Sequence, residues 1–381
     1  MRTLRNYLRF LAAVQLLPAL EGGEETLVGG QAVLEGVMMR SPHAWAIACR
    51  KPSGEVVTMS EPLERASEKH KWMAWPIVRG VMTLGYAMAL GYRALRFSAN
   101  VAIEDVMQQD QESNETVHSG AISNHAISNH VEMAALRQPQ GRPSAVPPKQ
   151  SEAESPQTSQ SATRQKAATI SGWLAAVNIV ISLAFFIFMY KYVPLVAATE
   201  LKKIDPALGG QVMFNLVDGV IRLLLFLLFI WGVSLWSDIR RVYQYHGAEH
   251  KTVFAFENGD PLTTVAVQKY STFHPRCGTS FLMTVMLISI VFYMLFPVTT
   301  FWARFALRIA LLPVIAGVSY EIIRFAAKHR GSLFALITAP GLWLQRITTK
   351  PPSDEMAQCA ITALDHAMNL EKERGGELVI A

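Results

Sequence analysis

The sequence predicts a mainly α, polytopic helical membrane protein of about four spans with a small N-terminal β-hairpin subdomain. Three observations carry this. Three long stretches are free of charge or nearly so, a fourth is apolar with three charges, and a short alternating segment near the N-terminus is split by a turn.

The uncharged runs come first because they set the class. No charge lies between Lys166 and Lys191, nor between Arg276 and Arg304, and Arg222 is the one charge from Gly219 to Trp236. Each run is long enough to cross a hydrocarbon core, which takes about 20 helical residues. A fourth candidate, Phe305 to Phe325, carries Arg308, Glu321 and Arg324, and charges at mid-membrane are costly. Two shorter apolar pieces, Val81 to Tyr92 and Leu333 to Leu344, read as in-plane, re-entrant or packed segments. Basic residues concentrate before the first run, between the second and third, and after the fourth. With four spans these regions share one side, and that side is expected to be cytoplasmic.

The remaining organisation follows from changes in texture. Residues 1–26 place Arg2, Arg5 and Arg9 among leucines at helical spacing, which suits a basic amphipathic helix on an anionic membrane surface or a loosely ordered tail. Residues 27–103 hold AWAIAC, the turn Lys51-Pro52-Ser53-Gly54 and EVVTMS, a hairpin pattern, and then a helix-like stretch opening at Pro76. Residues 104–168 are rich in Gln, Ser, Pro, Asn and Thr and contain the near-duplication ISNHAISNH. This is the composition of a disordered insert, with weak or no metal binding by its histidines. Residues 169–349 form the transmembrane domain, with a polar loop at 238–276. Residues 350–381 suit a soluble helix capped by Ser353. Thr263 or Thr264 suits the cap of a short helix inside the loop.

The net charge of +5 fits the basic flanks of a membrane protein. Basic and aromatic residues are not interleaved as in single-strand binders, so no nucleic-acid partner is expected; membrane lipids are. Three widely spaced cysteines without a C-x-x-C argue against a disulfide framework.

Chemistry concentrates in the polar loop. In HGAEHK, His246 and His250 are four apart and share a helix face, with Glu249 on its flank. The pattern H-x-x-E-H is the inverted form of a zinc-protease signature. His274, Cys277 or Glu257 would complete a metal shell, with Glu249 as base and Arg276 against anionic charge. Zinc suits a mixed imidazole, thiolate and carboxylate set, while manganese or iron would accept histidine and carboxylate. In the alternative reading the same helix lies at the headgroups, with Lys251 and Arg276 against lipid phosphate. Asp218 and Arg222, four apart, form either a functional intramembrane pair or a helix-end structural one. Gln31, Glu35 and Arg40 supply polar side chains to a glycine-rich N-terminal motif, and Glu35 reaching the polar loop would join the two motifs.

The stretches VGGQAVLEGVMMRSP, NLVDGVIRLLLF, SDIRRVYQYHGAEHKTVFAFENG, KYSTFHPRCGTSFL, LPVIAGVSYEIIRFA and PGLWLQRITTKPP together resemble the YqhQ-like family, domain of unknown function 1385. The resemblance covers nearly all of Leu27 to Ile361 outside the insert. It implies a multi-pass protein of the bacterial cytoplasmic membrane and the family's label of predicted metal-dependent enzyme. The family's polar motif falls on His246, Glu249, His250, Lys251, Glu257, His274, Arg276 and Cys277, and its N-terminal motif on Gln31, Glu35 and Arg40. The expectation is a metal-dependent, hydrolase-like enzyme at the cytoplasmic membrane surface, with both termini cytoplasmic. It would act on a membrane-proximal substrate. Its ligands are His246, His250, His274 and Cys277. The competing expectations are a non-enzymatic membrane adaptor or assembly factor that docks a protein partner, and a transporter using Asp218, Arg222, Glu321 and Arg324.

Overall fold

The computed structural model describes residues 28–63, 71–104, 172–275, 277–328 and 333–373. The basic segment 1–26, the polar insert from residue 105 to 168, and Arg276 lie outside the described residues. The chain is mostly helical, with a small antiparallel sheet near the N-terminus.

The sheet has four strands in the order β1 (Gly29–Val33), β2 (Gly36–Arg40), β3 (Ala44–Arg50) and β4 (Val56–Pro62). The expected hairpin is β3–β4, with Ala48 opposite Thr58. A second hairpin precedes it, because GGQAVLEGVMMR folds back at Leu34-Glu35, with Val33 opposite Gly36. Glu35 takes a positive φ of 49° there. That backbone region is uncommon for a residue with a side chain.

Eleven helices are described: α1 (78–104), α2 (Gly172–Ile187), α3 (Val193–Ile204), α4 (Gln211–Val233), α5 (Ser237–Glu257), α6 (Thr264–Gln268), α7 (Gly278–Met294), α8 (Phe301–Ala310), α9 (Leu312–Lys328), α10 (Leu333–Thr348) and α11 (Asp354–Glu373). The sheet is covered on both faces. Successive strand residues point to opposite faces. In β3 this sends Ala46 and Ala48 toward α5 and α11, and Trp45, Ile47 and Cys49 toward Leu90 and Ala94 of α1. Small residues on the first face meet Ala360, Ala363 and Ala367 of α11, so helix and sheet approach closely. The capping expected at Ser353 is present, its Oγ accepting from Met356 N at 3.3 Å. Thr263 likewise caps α6. The C-terminal helix is thus a wall of the sheet domain. Glu371 locks its far end by accepting from Ser41 Oγ at 2.7 Å and His43 N at 2.8 Å.

Among the described residues, two stretches are long and apolar enough to cross a membrane. Val177–Ile204 runs through a π-helical turn at Phe188–Tyr192, and the other is α4. The α8–α9 pair, bent by 48°, makes a third if it is one span. Where a further full-length span is expected, α7 is apolar but only 17 residues long. Large apolar side chains such as Ile181, Leu183, Leu224 and Leu228 point outward from these helices.

Candidate metal centre

The helix α5 builds the site. His250 follows His246 by about 1.1 helical turns, so the two rings meet edge to face, 4.4 Å between centroids and 61° between planes. Gly247 lies between them because the chain following α10 presses on the helix. A methyl group at Gly247 would sit 2.1 Å from Lys350 O and 3.2 Å from Thr272 Cγ2. That close approach brings the end of α10 and the 271–275 segment onto the two histidines.

Two main-chain carbonyls fix the imidazoles. His246 Nδ1 lies 2.8 Å from Thr348 O, and His250 Nδ1 contacts Thr272 O. A carbonyl only accepts, so in each ring Nδ1 carries the proton and Nε2 presents its lone pair. His246 Nε2 lies 3.2 Å from Cys277 Sγ, while His250 Nε2 is buried without a hydrogen-bond partner. Cys277 caps α7, its sulfur accepting from Thr279 N and lying 3.1 Å from Thr279 Oγ1. Ligand atoms of His246, His250 and Cys277 lie within 4.8 Å of one another. The donor set of two imidazole nitrogens and a thiolate fits a divalent metal, with the second shell that histidine ligands require already in place. Burial holds the His250 imidazole below its usual pKa, against the opposing pull of the Cys277 thiol, so the ring stays neutral and able to ligate.

Not every residue expected here joins the three. His274 lies beside them, its ring 5.6 Å from that of His250, but its Nε2 is 3.5 Å from Glu257 Oε2. Gln345 sets that orientation by clamping the His274 main chain. Its Oε1 accepts from His274 N at 2.7 Å and its Nε2 donates to His274 O at 2.8 Å. Sequence reasoning misses Gln345, whose one signal is a lone amide among the apolar residues of LWLQRI. Glu249 turns to the sheet and accepts from the main chain of Gly30 in β1. Burial pushes its carboxyl above the usual carboxylate range, against the opposing pull of the nearby His246 and His274 rings and the Gly30 N–H. Lys251 is buried and donates to Gln268 O at 2.6 Å. It therefore ties α6 down rather than facing lipid headgroups.

The N-terminal motif divides. Glu35 does reach the polar loop, pairing with Arg241 of α5 and accepting from Tyr245 OH at 3.3 Å, but it stays outside the histidine cluster. Gln31 lies against Gly91 of α1, and Arg40 lies at the end of β2 on the face shared with Met38. Asp218 and Arg222 pair as their spacing predicts, and Asp218 also pairs with Arg308. Glu321 pairs with Arg79 of α1.

Comparison with known proteins assigns a family and no chemistry. The chain is 28% identical over 344 residues to the uncharacterized protein YqhQ of Bacillus subtilis (strain 168), covering 90% of this chain and 92% of that one. No solved structure matches it. The family model described as protein of unknown function (DUF1385) matches residues 75–370, so the chain belongs to the DUF1385 family.

Proposed function

We propose that the chain is a metal-dependent, hydrolase-like membrane protein in which His246, His250 and Cys277 hold a divalent cation. Zinc suits this donor set best, with manganese or iron as alternatives. One observation carries the reading. Thr348 and Thr272 carbonyls hold both imidazoles as Nδ1–H tautomers, so two Nε2 lone pairs face the Cys277 side. Three protein donors leave a coordination position for water or substrate, the arrangement of catalytic rather than structural zinc sites. A metal bound there supplies a Lewis acid and a nucleophile at neutral pH.

The chain's own residues do the rest. His246 and His250 bind through Nε2, and the two carbonyls keep their rings in register. Glu249, raised by burial and accepting from the Gly30 N–H, serves as a base only if its carboxyl turns from β1 toward the ligand atoms. His274 and Glu257 flank the cluster. Arg276, adjacent to Cys277 in the chain, is assigned the anion-stabilising role.

The setting in this proposal is the bacterial cytoplasmic membrane, crossed by Val177–Ile204, α4, α7 and the α8–α9 pair. The sheet, α5 and α11 lie on the cytoplasmic side with both termini. The basic flanks and the packing of α11 and the sheet against α5 support this side. The protein should stay in carbonate-washed membranes; release into the wash would refute the spanning reading.

Metal content of the detergent-purified protein, by elemental mass spectrometry, tests the centre. About one equivalent is expected, lost in the His246→Ala/His250→Ala double variant and kept in Glu249→Gln. No metal in the folded wild type after reconstitution would sink the proposal and favour the adaptor reading.

A further inference from the structure

Away from the histidines, α4, α7, α8 and the π-helical turn bring basic side chains into the helical bundle. Lys191, Arg222 and Arg308 lie 5.4, 5.1 and 5.3 Å from the centroid of one ring, that of Tyr293. All three are buried. One carboxylate, Asp218, answers them: Arg308 Nη1 donates to its Oδ1 at 2.6 Å and Arg222 Nη2 donates to its Oδ2. Arg222 Nη1 donates to Ser289 Oγ at 2.8 Å, and Lys191 Nζ to Tyr293 OH at 3.0 Å.

The charges do not balance. Among the described residues the group holds three cations and one carboxylate, and guanidinium groups cannot shed their protons. Even with a neutral lysine, two arginines face Asp218. Buried charge without a partner is strongly destabilising, so a bundle of this kind needs an anion. A donor stands ready to receive it, since Arg222 Nε is buried without a hydrogen-bond partner. The backbone around the group is irregular in two places. Lys191 sits in the π-helical turn, and Arg308 sits in the last turn of α8, next to the 48° bend into α9. Such turns recur where a helix has been adapted to a ligand.

We propose that Lys191, Arg222 and Arg308 bind a phosphoryl oxyanion inside the helical bundle, either inorganic phosphate or the phosphate of an anionic lipid. A surplus of one positive charge with a neutral lysine, or two with a charged one, matches a phosphoryl group, and the Nε edge of a guanidinium pairs naturally with its oxygens. The site shares no residue with the histidine cluster. It rests on the membrane reading only for the lipid as a source.

The test uses the full chain purified in phosphate-free maltoside detergent. Native mass spectrometry reads phosphatidylglycerol retained or added back, and calorimetry reads inorganic phosphate. Retention of the lipid alone identifies a lipid source, and binding of phosphate alone identifies a soluble one; either supports the site. Lys191→Gln keeps a hydrogen-bonding end for Tyr293 and should weaken the bound probe about tenfold. Asp218→Asn removes the counter-charge and should tighten it by a similar factor. A purely structural ion network would not give opposite signs. The proposal is overturned if the folded wild type binds neither probe, or if Lys191→Gln binds as tightly as wild type.

Discussion

Gly247→Ala isolates the contact on which the proposed metal centre depends. The added methyl would stand 2.1 Å from Lys350 O. Ordinary contact lies near 3.4 Å, so something must move by about 1.3 Å. Neither side yields easily. The carbonyl belongs to main chain tied down by Lys350 N donating to Tyr243 O at 2.9 Å, and Thr348 O holds His246 two residues earlier. Overpacking a close contact costs about 1–3 kcal/mol. Loosening these two hydrogen bonds adds about 1 kcal/mol each. The sum, about 3–5 kcal/mol, is a large share of the 5–15 kcal/mol that typical domains possess. Gly85→Ala is the matched control, because a methyl group at that position on α1 would meet nothing within 4 Å. There the helix gains up to about 1 kcal/mol from alanine. Thermal unfolding in detergent should separate the two variants by about 8–12 °C, taking ~2 °C per kcal/mol for a large chain. Metal content should fall in Gly247→Ala alone. Equal midpoints and equal metal in the two variants would refute both the contact and its role in positioning His246.

Two further predictions concern the sheet domain. Burial raises Glu371, but hydrogen bonds from Ser41 and His43 outweigh it, and the net pKa falls below the usual carboxylate value. Its stabilisation is therefore present above about pH 4.5 and lost as pH falls through the lower folded value. Glu371→Gln should cost about 2–3 kcal/mol at pH 7, with the gap to wild type closing under acid; a gap independent of pH would contradict the pairing. Burial pushes the Cys49 and Cys359 thiols up to about 12, so at pH 8 only about one in ten thousand is thiolate. Peptide mapping after brief iodoacetamide treatment should find both unmodified in the folded chain, and rapid alkylation of either would show that the sheet core opens.

What is legible in the sequence is local. The i, i+4 spacing places His246 beside His250 and Asp218 beside Arg222. Ser353 and Thr263 announce helix starts, and Lys51-Pro52-Ser53-Gly54 announces the β3–β4 turn. The β1–β2 hairpin is hidden because Leu34-Glu35 lacks the Asn-Gly chemistry that marks tight turns. Long-range partners are equally hidden. Nothing in HGAEHK says that Gly30, over two hundred residues earlier, draws Glu249 away from the histidine face. Nor does it say that Gln345 turns His274 toward Glu257. Charge spacing identifies the Asp218–Arg222 pair, but Arg308 joins it from a helix ninety residues away.

The helix α7 starts at a metal-site residue and ends at the cation group. Cys277 caps its first turn, while Ser289 and Tyr293 lie near its last. At 1.5 Å per residue the backbone positions 277 and 293 are about 24 Å apart along the helix axis. A second rod runs beside it in reverse, since α4 carries Asp218 and Arg222 and, after a three-residue joint, α5 carries His246 and His250. Helices bend more readily than they stretch, so α7 sets the axial spacing between the residues at its two ends. Geometry alone thus holds the Cys277 end and the Tyr293 end of α7 at one fixed separation.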